Sequence, residues 1–108
     1  MMSCTITNVF VEYGRAGDAS VPAKNVTDPD AIGATITCMH WPDGARTGEK
    51  LRLFFTKTEL EQRIPNDRLA DDLDDIDIAI SLEDEFADAL ANMAKEHIES
   101  TIDERRCA

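Results

Sequence analysis

From Cys4 to Tyr13 polar and apolar positions alternate, with Thr5, Thr7, Val9, Val11 and Tyr13 interleaved with Cys4, Ile6, Asn8, Phe10 and Glu12. A period of two rich in β-branched residues predicts a strand. Apolar groups fall in both sets, so the strand is expected to be central or covered on both faces. The pattern vanishes between Gly14 and Gly33, where glycines, prolines and scattered polar residues predict a long loop. Such loops are uncommon in compact domains and are often functional. Ala34 to Trp41 and Lys50 to Thr56 then read as the arms of a hairpin, joined through Pro42-Asp43-Gly44 and Gly48.

The second half of the chain changes period. Thr56 with Glu59, or Thr58 with Glu61, forms a capping-box pattern for a helix that Pro65 ends. Asn66 or Asp67 is placed to cap a second short helix carrying Leu69, Leu73 and Ile76. Ile76, Ile78 and Ile80 alternate with Asp77 and Ala79, which fits a short strand at an edge, although near Ile76 periodicity does not decide between helix and strand. Ser81 is the expected N-cap of the last helix, with Glu83, Asp84 and Glu85 in its first turn. At ~100° per residue, Leu82, Phe86, Leu90, Met93, Ala94 and His97 share one face, and Ala87 and Ile98 widen it. Run to about Ile102, this helix is roughly 30 Å long. The expected fold is a single α+β domain over residues 1–108. A small antiparallel sheet of three to four strands packs against a long C-terminal acidic helix plus one or two short helices. Residues 1–66 are expected to be mostly β, and 67–108 mostly α.

Length and composition agree with this. A chain of 108 residues with 43% hydrophobic content supports one core. No apolar run approaches the roughly 20 residues that span a bilayer. Met1 to Thr5 shows neither a basic nor an apolar leader, so no secretion signal is expected. Without secretion, the glycosylation pattern Asn25-Val26-Thr27 is read as chance. Cys4, Cys38 and Cys107 form an odd set without framework spacing, which suits free thiols in a reducing compartment. The expected location is the cytoplasm.

Charge alters the picture most. Between Asp67 and Glu104 stand fourteen Asp and Glu against two basic residues, Arg68 and Lys95. Residues 1–66 hold eight acids and seven bases, and the whole chain carries −11. On the outer face of the predicted last helix, Glu85, Asp88, Asn92, Glu96, Glu99 and Asp103 follow one another at spacings of three or four. That is a row roughly 27 Å long. Asp71, Asp72, Asp74, Asp75 and Asp77 form a second cluster just before it. Like-charge neighbours such as Glu96–Glu99 and Glu99–Asp103 each cost about 0.2–0.5 kcal/mol, partly recovered by Lys95–Glu99 and Asp103–Arg106. Burial of the Leu82–Phe86–Leu90–Met93 stripe must outweigh that repulsion. An excess of Asp over Glu hints at salt adaptation, but that would coat the whole surface, and residues 1–66 are nearly neutral.

Candidate chemistry is sparse. Cys38 and His40 share a strand face and, with His97, Cys4 and Cys107, are the conceivable metal ligands; the spacing of known zinc sites is missing, so no metal or cofactor is expected. A calcium loop starting at Asp72 would put Ile76 at a ligand position and Asp77 where the turn glycine belongs. No catalytic motif appears, and acids spread along an exposed helix do not make a general acid–base site. No enzyme is expected. Trp41 beside the turn is read as packing or a contact anchor. Phe54 and Phe55 point to opposite faces of their strand, so one must be covered by a helix or a second subunit. That is the sequence's hint of a homodimer.

The acidic half therefore points to a basic protein partner, with no direct binding of nucleic acid or membrane, both of which are anionic. The partner-binding residues are expected to be Glu85, Asp88, Glu96, Glu99 and Asp103, supported by Asp71, Asp72, Asp74, Asp75 and Asp77. Short, acidic, one-domain and without an active site, the chain resembles in character the small phage-encoded inhibitors of restriction and CRISPR systems. The likeness covers the acidic half and rests on no family motif. It implies a mimic of nucleic acid acting in the host cytoplasm. The alternative is a homodimeric assembly module whose acids only confer solubility.

Overall fold

The computed structural model describes residues 5–41, 46–70 and 72–107, the last eight of these by backbone alone. Three strands, β1 (Thr5–Arg15), β2 (Ile32–Trp41) and β3 (Glu49–Thr56), form an antiparallel sheet in the order β1-β2-β3. Three helices follow: α1 (Lys57–Glu61), α2 (Asp75–Glu85) and α3 (Ala87–Cys107). The class is α+β, with the helices laid on one face of the sheet. No helix among the described residues is long and apolar enough to cross a membrane.

β1 is an edge strand rather than a central one, and a bulge accounts for its two-faced pattern. Register shifts between Thr7 and Phe10, where Asn8 takes a φ of +54°. Asn tolerates this left-handed region better than most residues. The extra residue reverses the alternation, so Ile6 opposite His40 and Val11 opposite Ile36 face the same core although they lie five apart. Phe10 remains 64% exposed.

That core joins Val11, Ala34, Ile36, Leu53 and Phe55 from the sheet to Leu60, Ile64, Leu69, Ile78, Leu82, Leu90, Met93 and Ala94 from the helical half. The expected stripe is buried at Leu82, Leu90, Met93 and Ala94, while Phe86 is half-buried. α1 has the reciprocal capping box: Glu59 N–H donates to the Thr56 hydroxyl, and Thr56 N–H to the Glu59 carboxylate.

One end of the opposite face of the sheet is covered by the 14–33 segment, which is shorter as a loop than expected because β1 runs to Arg15 and β2 starts at Ile32. Backbone bonds from Ala16 N–H to Ala31 O (2.9 Å) and from Gly17 N–H to Pro29 O (2.8 Å) close it. Ala16 and Ala23 then bury Phe54, with Val26 and Ala31 beside them. Asn25 fastens the loop to the β3 edge. Phe54 N–H donates to Asn25 Oδ1 (2.8 Å), and Asn25 Nδ2 donates to Phe54 O (2.9 Å). The second phenylalanine face is thus covered from within the chain, which removes the reason for inferring a second subunit there. Gly33 makes the close approach possible, since a Cβ there would sit 2.0 Å from Phe55 O.

Three expected elements differ. The edge strand at Ile76–Ile80 is the first half of α2. Its alternation hides two pairs at helical spacing: Ile78 and Leu82 are buried, while Ile76 (73%) and Ile80 (52%) stand exposed on the other side. A helix buries both members of the first pair, and the acids Asp75 and Asp77 suit its first turn. Ser81 is accordingly not an N-cap but lies within α2, its hydroxyl bonded to the Glu85 carboxylate at 3.2 Å. The single last helix is divided at Phe86, whose φ of −122° and ψ of 18° leave the helical region. The second short helix is only a 3₁₀ turn at Asn66–Arg68, which buries Leu69 and leaves Leu73 exposed. Cys4, the Pro42-Asp43-Gly44 turn and Asp71 lie outside the described residues.

The helical reading of α2 gives a contrast that a strand would not. Leu82→Ala is expected to cost about 2–5 kcal/mol in urea unfolding, and Ile80→Ala to stay within about 0.5 kcal/mol. Asn25→Ala should cost about 1–3 kcal/mol and speed hydrogen exchange at the Phe54 amide, because a part-buried donor and acceptor lose their partner.

Candidate functional site

The predicted acidic residues divide into paired and unpaired sets. Glu85 ends α2 and meets Arg68 of the 3₁₀ turn at 3.1 Å. Glu96, in α3, receives Arg63 Nη2 at 2.7 Å on Oε1. The chain between α1 and α2 therefore pairs two cations with a row that sequence spacing makes anionic but for Asn92. Such exposed pairs contribute at most about 1 kcal/mol each, but they also relieve repulsion.

Asp72, Asp74, Asp75, Asp77, Asp88 and Glu99 are exposed and have no ion-pair partner among the described residues, and Asp84, which is not among the predicted residues, is exposed and unpaired in the same way. The break at Phe86 separates Glu85 from Asp88, so the expected row is not one straight helix face. The side chain of Asp103 and all of Asp71 lie outside the described residues. Of the predicted residues that are described, Asp72 and Asp74 precede α2, Asp75, Asp77 and Glu85 belong to it, and Asp88, Glu96 and Glu99 belong to α3.

A groove that the sequence reading did not anticipate runs along the outer edge of β1. It encloses ≈ 480 Å³, with Val11–Arg15 as floor, Ile76, Ala79 and Ile80 as one wall, and Asp18 and Ala19 as the other. Glu83 closes one end. Its Oε1 accepts the Val11 N–H at 2.8 Å, so a helix carboxylate takes a strand-edge donor. Asp75 lies over Gly14, whose φ of +147° is glycine territory and whose missing Cβ leaves the carboxylate room, 3.3 Å from where that atom would be. Across the strand, Glu12 accepts from the Ser20 hydroxyl (2.7 Å) and backbone N–H (3.0 Å). Arg15 is held by Asp18 at 3.5 Å and by Asp30 at 3.8 Å. Aliphatic walls with a predominantly anionic rim are the groove's chemistry.

The signal for this groove was present in the sequence as Ile76 and Ile80, four apart within an acidic stretch. Their alternation with Asp77 and Ala79 equally matches the period of a strand. Glu83 appeared only as a first-turn acid and Asn25 only as a chance sequon, because neither long-range bond leaves a local pattern.

The remaining candidates have structural roles. Cys38 is 2% exposed, and burial raises its thiol pKa above the ordinary value. Among the described residues no group of three His, Cys, Asp or Glu is placed to hold a metal ion. Asp75, Asp77 and Glu83 lie in a helix rather than in a loop that could wrap calcium. Trp41 is half-buried and donates through Nε1 to the Thr7 hydroxyl at 3.0 Å.

No protein-family model, curated protein or solved structure matches the chain.

Two measurements check these assignments. Glu83→Ala should cost about 1–3 kcal/mol and accelerate exchange of the Val11 amide, by leaving a part-buried donor unpaired. Cys38 should resist alkylation near pH 8.5, where a free thiol is about half ionised. Unfolding should restore the ordinary rate, since burial removes access and raises the pKa together.

Proposed function

We propose that this chain is a non-enzymatic, acidic interaction protein that occupies a basic, nucleic-acid-binding surface of another protein. It would act as a nucleic-acid mimic of the kind represented by phage-encoded inhibitors of CRISPR or restriction systems, in the cytoplasm of the host. The observation that carries this reading is a set of seven exposed carboxylates, from Asp72 to Glu99, that have no ion-pair partner among the described residues, in the helical half that follows a near-neutral stretch over residues 1–66. One DNA strand presents a phosphate every ~3.4 Å of axis, and a surface built to bind phosphates is drawn to such a field. Electrostatic steering would speed the encounter. Glu85 and Glu96 can take part by exchanging Arg68 and Arg63 for a partner's cations.

A second reading has its own observation. The 16–31 loop covers only one end of the far sheet face, and Phe10 is exposed on that face, with Met39 and Trp41 half-buried beyond it. A homodimer through this patch would make the chain an assembly module whose acids confer solubility. Sedimentation separates the two, since such a dimer would ignore salt.

The variant combining Glu85→Gln, Asp88→Asn, Glu96→Gln, Glu99→Gln and Asp103→Asn tests the mimic. It should lose a partner that the wild type captures from host lysate and that duplex DNA displaces. Wild-type capture should weaken by about tenfold or more between roughly 50 and 200 mM salt. The melting temperature should stay within a few degrees, because relief at Asp88 and Glu99 offsets the lost pairs at Glu85 and Glu96. Retained capture by the variant, or a partner that DNA does not displace, overturns the assignment.

A further inference from the structure

We propose that the β1–α2 groove is the seat of an extended segment of the basic partner, which adds to the sheet as a fourth strand along Val11–Arg15. Its side chains would alternate between aliphatic and cationic. The inference rests on the reading of a basic partner and specifies how one part of that partner is held.

Three observations converge on one place. First, among the described residues β1 borders β2 on one side and no strand on the other, so beyond the Val11 N–H that Glu83 takes, no strand covers its outer edge. Second, the wall above that edge exposes Ile76 at 73% and Ile80 at 52%, on a helix whose other face already fills the core. Third, Glu12, Asp18, Asp75 and Glu83 surround the groove against one cation, Arg15, which Asp18 and Asp30 already hold.

Strand geometry turns these into a sequence requirement. Successive side chains of an extended segment point to opposite faces. A segment alongside β1 would turn one set toward Ile76, Ala79 and Ile80, and the other toward Glu12 and Asp18. The first set must be aliphatic to bury the isoleucines, and the second cationic to meet the carboxylates. Glu83 already holds the Val11 N–H, which fixes one end of the run.

A second copy of this chain is a poor occupant. Pairing two β1 edges would bring the same carboxylates together between molecules that each carry −11. A basic segment meets no such repulsion.

The test uses a capped synthetic peptide of about seven residues alternating Lys and Val, long enough to span Val11–Arg15 with a residue beyond each end. Titration into ¹⁵N-labelled protein should give saturable shifts at Val11–Arg15 and Ile76–Ile80. The variant Ile76→Ser/Ile80→Ser, altered only at exposed positions, should bind about tenfold more weakly or worse. The same peptide N-methylated on alternate backbone nitrogens should not bind, since strand addition uses main-chain donors. Absence of saturable shifts, equal binding by the N-methylated peptide, or no effect of the double variant overturns the proposal. So does concentration-dependent self-association that shifts the Val11–Arg15 amides without peptide. The five-acid variant should keep the peptide while losing the captured partner. Loss of peptide binding with partner capture intact would sink the groove alone, and intact peptide binding with capture unaffected by the five changes would sink the helix assignment alone.

Discussion

A sheet of three strands has two edges and only one interior strand, and most of this molecule answers that constraint. Unpaired edge donors and acceptors must be covered or left to water. At β3, the Asn25 amide bonds both backbone groups of Phe54, as a neighbouring strand would. At β1, the Glu83 carboxylate takes the Val11 N–H. Each closure also joins two distant parts of the chain. Asn25 holds the loop that buries Phe54, and Glu83 holds α2 against the strand. The bulge at Asn8 belongs to the same solution, since it lets Ile6 and Val11 face one core from an edge strand that would otherwise turn them apart.

The acidic half is less uniform than its composition implies. Arg63 and Arg68 flank Pro65, in the connection between α1 and α2, and each meets a glutamate on the helical side. They neutralise Glu96 and Glu85 while Asp88 and Glu99 stay open. The division at Phe86 further separates charges that one straight helix would stack. The fold thereby reduces the self-repulsion at two points and leaves Asp72, Asp74, Asp75 and Asp77, near the start of α2, with no cation nearby in sequence but Arg68.

What was legible in the sequence follows from the range of the interactions involved. The three strands, the Thr56–Glu59 cap and the buried Leu82–Leu90–Met93–Ala94 stripe are written in local spacing, and local spacing predicts them. The Ile76–Ile80 stretch satisfies both a period of two and a period of four, and only the competition for the core decides between them. Ile78 and Leu82 enter that core together in a helix. Likewise, the exposed acids are visible in composition, but their pairing with Arg63 and Arg68 depends on the path of the connection. The clamps at Asn25 and Glu83 span 29 and 72 residues, so no periodicity could disclose them.

The two faces of α2 set the balance between stability and recognition. Its inner face, Ile78 and Leu82, is fully committed to the core, and Glu83 ties it to β1. Nothing in that arrangement requires isoleucine at 76 or 80. Serine, lysine or glutamate there would leave the helix packed and the surface better hydrated, and a helix former without a β-branch would be slightly more stable. Scattered exposed aliphatics need no explanation. These two, however, stand one helical turn apart, above an open sheet edge and inside a ring of carboxylates. On the proposed reading, the partner that buries them would bring its own apolar surface and enough positive charge to enter the ring. Charge alone would draw many basic surfaces to this side of the molecule. The aliphatic wall distinguishes among them, because only a segment with the matching alternation satisfies the isoleucines and the acids together.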